Sequence, residues 1–417
     1  MSILIKNVLL GNKRTHIYIE DNIISETGKI LEADRIIDGS GKAALPGFIN
    51  THTHAAMTLF RGYADDMPLH EWLEKKIWPV EARLNEEFVY WGTKLACLEM
   101  IKSGTVAFND MYHFQEGAVK AVEECGMRAM MGPVFLDLNN PEKREKEIKR
   151  QERFFRLLRN LKSERIKPCL NPHSVYAVSK ECLEWCVDFS KENDLPVHIH
   201  VSETKKENDE FIKKTGKTPV EFLEEIGLLN GKVIAAHCVW LSHQDIEILS
   251  RHDVTIAHCP VSNMKLSVGR VMPYHYMQKL GLNITLGTDG CASNNNLDMF
   301  ETMKFASLLH KHHVSQTSAP ANEIFKMATE NGAKALGINA GKIEEGKLAD
   351  IILIDLNRPD LVPNHNLISN IIYSANSSCV DTVIVDGKIL MEGRKVPGEE
   401  EILENAKRFA EKLFYEK

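Results

Sequence analysis

The sequence predicts an α/β fold: a (β/α)8 TIM-type barrel carrying a small β-sandwich built from both chain ends. Three observations lead there. Eight short apolar runs recur through the middle of the chain, separated by stretches of helical periodicity, the pattern of a parallel barrel. Residues suited to metal binding or proton transfer follow four of those runs, and in such barrels the chemistry sits at the C-terminal ends of the strands. The two ends of the chain differ in texture, with short strands broken by turns.

The elements follow in order. Residues 3–9, 16–20 and 35–38 read as strands of the N-terminal piece. The barrel runs are 45–50, 105–109, 129–135, 166–171, 197–201, 233–238, 254–258 and 283–286. Helical spacing fills 87–102, 143–161, 180–193, 218–226 and 242–251, among the intervening stretches. Strands return at 350–355, 380–385 and 388–391, the last two joined by a turn at Asp386-Gly387. Residues 399–416 are charged, lack Gly and Pro, and read as a helix covering part of the sandwich. This divides the chain into a barrel domain, 44–341, and a sandwich domain from 1–43 and 342–417. No internal repeat or low-complexity linker is evident.

Composition narrows the class. At 417 residues the chain is long enough for a large α/β domain and a smaller one. Hydrophobic content of 43% and charged content of 26% are those of a soluble protein. A net charge of −7 disfavours nonspecific binding to nucleic acid or anionic membrane, without excluding a nucleoside-sized ligand. The nine cysteines are scattered with no CxxC pair, which fits a reducing cytoplasm. Cys182 and Cys186 read as packing residues of a helix. No leader and no membrane span is expected.

The strand ends carry the chemistry. In His52-Thr53-His54 two imidazoles two residues apart point the same way from a strand. Together with His200 and Asp289 they could supply three nitrogens and one carboxylate oxygen to a divalent ion such as zinc, leaving a position for water. A water so held loses its proton near neutral pH. Glu203, on the loop leaving the strand of His200, could carry protons between water and substrate. His237 could orient the nucleophile. A lone histidine at a strand end is usually hydrogen-bonded or solvated, and His113, His243 and His258 are read that way. His198, on the face of His200, is read as no ligand itself but as a residue supporting the ligands from behind or packing beside them. Asp289 alone could be a turn residue before Gly290.

At this point the sequence resembles the amidohydrolase superfamily. The residues that carry the resemblance are Pro46 to His54, His198 to Glu203, His237-Cys238, His258 to Asn263, Gly287 to Gly290 and the late signature Gly346 to Ile351. Within it the chain is similar to the 5-methylthioadenosine/S-adenosylhomocysteine deaminases and the archaeal 5'-deoxyadenosine deaminases. The resemblance implies one zinc, or iron in some relatives, and hydrolytic loss of ammonia from C6 of adenine. It implies metal ligation by His52, His54, His200 and Asp289, with Glu203 shuttling a proton to the ring nitrogen. His237 would position the hydroxide and Asp289 would take its proton.

The resemblance further makes Glu81 a ligand of the ribose hydroxyls, His173 a contact near the sugar, Trp72 a wall of the purine pocket and Ser293 a further pocket position. Without it, Glu81 is a charge early in a helix, Trp72 a loop aromatic and His173 a strand-end surface residue. Homocysteine-binding members hold the substrate carboxylate with arginines. Here Arg144, Arg150 and Arg153 lie in a helical segment, and the spacing reads as a solvated face. The partner implied is a small nucleoside, with no nucleic acid and no membrane, in a cytoplasmic homo-oligomer, dimer or tetramer. Competing readings are a guanine- or cytosine-type free-base deaminase, a triazine-type hydrolase or chlorohydrolase, and a non-catalytic assembly scaffold. Glu203 and His237 favour deamination, and Glu81 with His173 favours a riboside.

Overall fold

A computed structural model describes residues 1–415; Glu416, the last residue of the expected C-terminal helix, lies outside them. Eight parallel strands form the barrel. They are β1 (Phe48–Thr53), β2 (Thr105–Tyr112), β3 (Arg128–Phe135), β4 in two pieces (Ile166–Pro168 and Asn171–Pro172), β5 (Val197–Val201), β6 (Val233–His237), β7 (Thr255–His258) and β8 (Ile284–Leu286). β1 to β4 pair in parallel, as do β5 to β8. Backbone bonds join the two halves at both seams: His198 N to Leu170 O, 2.8 Å, and Asp289 N to His52 O, 3.0 Å. Every residue of β2 and β3 is buried. Strands covered on both faces read as continuous apolar runs instead of alternating ones, which is why they stand out in the sequence.

Two runs depart from expectation. Residues 45–50 are not one strand: Lys42–Pro46 belongs to another sheet and the barrel begins at Phe48. Gly47 makes the crossing. A side chain there would put its Cβ 2.2 Å from Val106 Cγ1, so only glycine lets the chain pass this close to β2. Residues 166–171 fall into two pieces, the first ending at Pro168 and the second beginning at Asn171.

The second sheet takes strands from both chain ends. In spatial order they are Lys388–Met391, Val380–Val385, Ile351–Asp355, Lys42–Pro46, Ser2–Leu10, Lys13–Glu20 and Ile23–Thr27, with Arg35–Asp38 parallel to Ser2–Leu10. The expected sandwich is thus a single hydrogen-bonded sheet, with a core of its own that includes Ile3, Ile5, Ile17, Ile19, Ile351 and Leu353. Arg128, at the start of β3, ties this sheet to the barrel floor. Its Nε donates to Asp350 Oδ2 over 2.7 Å and its Nη2 to Asp386 Oδ1 over 2.6 Å. All nine cysteines are free thiols, with Cys182 and Cys186 buried. Among the described residues no helix is long and apolar enough to cross a membrane.

Candidate active site

The C-terminal ends of the strands converge on one cavity. β1 brings His52 and, one residue beyond its end, His54; β5 brings His200; β6 brings His237; the turn after β8 brings Asp289. One nitrogen each from His52, His54 and His200 lies within 4.8 Å of the others. The turn after β8 can press this close because Gly287 has no side chain: a Cβ would stand 2.7 Å from that of His52. Ser202, His237, Cys238 and Asp289 all adopt positive φ, from 51° to 69°. Left-handed backbone costs energy in residues other than glycine and concentrates where side chains must be aimed.

Hydrogen bonds orient the rings. Nδ1 of His200 donates to His173 O over 2.7 Å, and Nδ1 of His54 donates to Met111 O. Each bond fixes the ring and turns Nε2 inward. His52 Nδ1 pairs with His198 Nε2 at 2.8 Å, so of the two roles expected for His198 the structure shows the supporting one, behind His52. His52 Nε2 is buried and makes no hydrogen bond. Burial pushes His52 down to about 4 and His200 well below the usual histidine range, which keeps both neutral.

Asp289 completes the group. Its Oδ1 lies 3.4 Å from His52 Nε2 and 3.2 Å from His54 Nε2. Its Oδ2 accepts from Ser262 Oγ at 2.6 Å and Ser293 Oγ at 3.0 Å. Burial alone would raise its pKa, but His52 and His54 outweigh burial and hold it well below the carboxylate range. Burial likewise opposes charge on His54, yet Asp289 and the Met111 carbonyl raise it to about 9. This is a carboxylate arranged to face positive charge. Three inward imidazole nitrogens, that of His52 without a hydrogen bond and that of His54 holding a proton against Asp289 that a cation would replace, and an ionised carboxylate form a donor set that fits a divalent cation of the zinc type.

Glu203 stands beside this group without being part of it. Its side chain is buried, which raises its proton affinity, with His237 partly opposing. His237 Nδ1 lies 2.9 Å from Asn263 Oδ1 and 3.9 Å from Glu203 Oε1. Ser262 and Asn263 occupy the first turn of the helix Pro260–Lys265 after β7.

The cavity's walls include His54, Trp72, Glu81, His173, His200, Glu203, His237, Asp289 and Ser293. His52, fully buried, lies behind that surface. Residues picked from separate parts of the sequence thus meet in one place. Trp72 is buried and donates its indole N–H to Ala64 O over 2.8 Å. Glu81 closes the short helix Trp78–Glu81; burial raises its pKa, against the Tyr112 hydroxyl and His54. It is therefore no surface charge. His173 is pushed down to about 3 by burial and then by neighbouring histidines.

Sequence reasoning missed several residues. Tyr112, whose hydroxyl is buried beside Glu81, and His113 both line the cavity, as does Tyr176. His258 instead points away, 3.2 Å from His310. Of the three arginines, Arg144 pairs with Glu181 at 3.0 Å and Arg153 with Glu116 at 2.8 Å. Arg150 pairs with Glu147 at 2.6 Å and donates to the carbonyl of Val134, a residue of the cavity wall.

Comparison with known proteins agrees over nearly the whole chain. Residues 43–390 match the model of the amidohydrolase family. A 5-methylthioadenosine/S-adenosylhomocysteine deaminase 1 of Archaeoglobus fulgidus is 51% identical, the alignment covering 99% of both chains. A 5'-deoxyadenosine deaminase of Methanospirillum hungatei is 50% identical over 99% of this chain and 94% of that one. Among solved structures, an adenosine deaminase from Xanthomonas campestris with bound zinc superposes with a TM-score of 0.93, at 31% identity, covering 99% of this chain and 98% of the other.

Proposed function

Because this chain belongs to the amidohydrolase family, we propose that it hydrolyses the 6-amino group of 5'-modified adenosines, giving the inosine analogue and ammonia. The observation that carries this reading is the meeting of His52, His54, His200, Asp289 and Glu203 at one cavity. The names of the relatives supply the substrate class: 5-methylthioadenosine, S-adenosylhomocysteine and 5'-deoxyadenosine.

His52, His54, His200 and Asp289 would hold one divalent ion, zinc or iron. When bound it supplies a polarised water whose pKa falls to roughly 7. The chain's residues do the rest. Glu203, buried and with raised proton affinity, delivers a proton to the purine ring nitrogen next to C6, so that the ring accepts the attacking oxygen. Asp289 Oδ1 takes the proton that this oxygen sheds. His237, tethered through Nδ1 to Asn263, presents its other nitrogen to the attacking oxygen. The amino group then takes the proton that Asp289 has received and leaves C6 as ammonia, and the new C6 hydroxyl returns a proton to Glu203, so that the carbonyl of the inosine analogue remains and both carboxyl groups are restored. Trp72 bounds the purine, while Glu81 accepts from the ribose hydroxyls and His173 contacts the sugar. Ser293 holds Asp289.

The same reading divides the chain into a barrel domain over 44–341 and a small β domain from 1–43 and 342–417, and puts a homo-oligomer in the cytoplasm. The test is ammonia release from adenosine, 5'-deoxyadenosine, methylthioadenosine and S-adenosylhomocysteine, by wild type and Glu203→Gln. Wild type should turn over members of this panel. Glu203→Gln should keep its metal and lose about 10²–10⁴-fold in kcat. Inactivity of the metal-loaded wild type on all four substrates overturns the reading.

A further inference from the structure

We propose that Glu207 is a positioning residue, whose carboxylate, helped by its neighbour Asn208, clasps the two loops that carry Glu203 and His237. The inference rests on Glu203 being the proton carrier of the reaction proposed above.

Glu207 sits at the third position of the helix Lys205–Thr215, behind the N-cap Thr204. A glutamate at that position ordinarily reaches back to the cap's own backbone N–H, completing a capping box. The chain does this at Thr218 with Glu221, and with an aspartate in the same place at Ser242 and Asp245. At Thr204 only half of the box forms: Thr204 Oγ1 accepts from Glu207 N over 3.1 Å. The Glu207 side chain passes its cap by. Its Oε2 accepts from Glu203 N at 2.8 Å and its Oε1 from Ser202 N at 3.1 Å. Both oxygens therefore hold the backbone from which the Glu203 side chain springs.

That backbone needs holding. Ser202 has φ of +51°, an unfavourable setting for serine. Its carbonyl also accepts from Val239 N and Trp240 N, at 3.1 and 2.8 Å, so the loop after β5 is sewn to the loop that follows His237. Asn208, one residue past Glu207, donates to Trp240 O from the same helical turn. Glu207 and Asn208 thus grip both loops at once. Glu207 is 4% exposed, and burying a carboxylate is costly unless it is hydrogen-bonded, as this one is to two backbone amides. Burial and then the charge of Glu203 raise its pKa to about 7.

The experiment is a double-mutant cycle on the metal-loaded enzyme, with 5'-deoxyadenosine as substrate. Glu207→Gln keeps the size but turns one acceptor into a donor that faces a backbone N–H. The expected result is unchanged metal content, KM within about twofold and kcat lower by about 10- to 100-fold, the range a small misplacement of a reacting group produces. In the Glu203→Gln background the same change should cost nothing further, because the residue it positions is gone. Equal losses in both backgrounds, or normal kcat in Glu207→Gln while Glu203→Gln is crippled, overturn the positioning role alone. Full activity of Glu203→Gln overturns the proton-carrier reading and this inference with it. Should Glu207→Gln fail to fold, Glu207→Asp, which can reach one amide only, should show a smaller fall in kcat and the same silence on Glu203→Gln; equal losses again overturn the proposal.

Discussion

Ser262 Oγ donates to Asp289 Oδ2 across 2.6 Å, and this bond selects which carboxylate oxygen faces the histidines. With Oδ2 shared between Ser262 and Ser293, Oδ1 is the oxygen turned to His52 and His54. Ser262→Ala removes the shorter of the two bonds. Metal affinity or kcat should fall by about 10- to 100-fold, as for partners that orient metal ligands. Metal analysis of the dialysed variant alongside its turnover checks this, and unchanged values for both would assign the orientation to Ser293 alone.

Removing His52 takes away a buried Nε2 that has no other hydrogen-bonding partner. His52→Ala should lose metal and activity together, by at least the same about 10- to 100-fold. Elemental analysis beside turnover is the measurement. Full metal occupancy with normal kcat would move the cation elsewhere.

Glu81 bears on recognition, and its variant should keep the metal. Glu81→Ala should depress kcat/KM for ribosides and shrink their advantage over 2'-deoxy analogues. A preserved preference in the comparison of adenosine with 2'-deoxyadenosine would remove Glu81 from the sugar site.

The outer cavity wall is apolar at Leu69, Leu73, Leu136 and Leu138, and the arginines near it already hold acidic partners. Variation at the 5' carbon should therefore be tolerated, with activity on 5'-deoxyadenosine, methylthioadenosine and S-adenosylhomocysteine. Arg144→Ala, Arg150→Ala and Arg153→Ala should affect the three substrates alike. A loss confined to S-adenosylhomocysteine would identify a carboxylate clamp, and Arg150, bonded to the cavity-wall residue Val134, is where to look first.

Gly47 offers a test of the fold. Gly47→Ala drives a methyl group into Val106, at 2.2 Å in the unrelaxed backbone. Overpacking of this sort costs about 1–3 kcal/mol. Thermal unfolding should show a lower Tm, and a neutral result would mean that β2 yields at that point.

The barrel was legible because its strands are buried on both faces, so that 105–109 and 129–135 appear as unbroken apolar runs. The strand Ile23–Thr27 was not, since its residues alternate irregularly between buried and half-exposed at the sheet edge. In the site, His52, His54, His200 and Asp289 declare themselves by residue type at strand ends. Ser262, Asn263 and Tyr112 do not. A serine, an asparagine and a tyrosine have common structural uses, and their relevance lies in partners far along the chain, such as Asp289 for Ser262. Glu207 could have been suspected from its spacing behind Thr204, yet that spacing alone reads as a helix cap.

The placement of Lys42–Pro46 between Ser2–Leu10 and Ile351–Asp355 has a consequence for synthesis. The strands up to residue 46 can pair with one another early, but Lys42–Pro46 lacks its second neighbour until Ile351–Asp355, about 300 residues on, has followed. At about 5–20 residues per second that interval is on the order of tens of seconds. β1 and β2 can meet well before then, so the barrel begins to assemble while one edge of the N-terminal strands stays open to wrong partners. Arrival of Ile351–Asp355 closes that edge, and Asp350 beside it brings the partner for Arg128. Completion of the nascent enzyme is thus signalled at the barrel floor, at the opposite end from the chemistry.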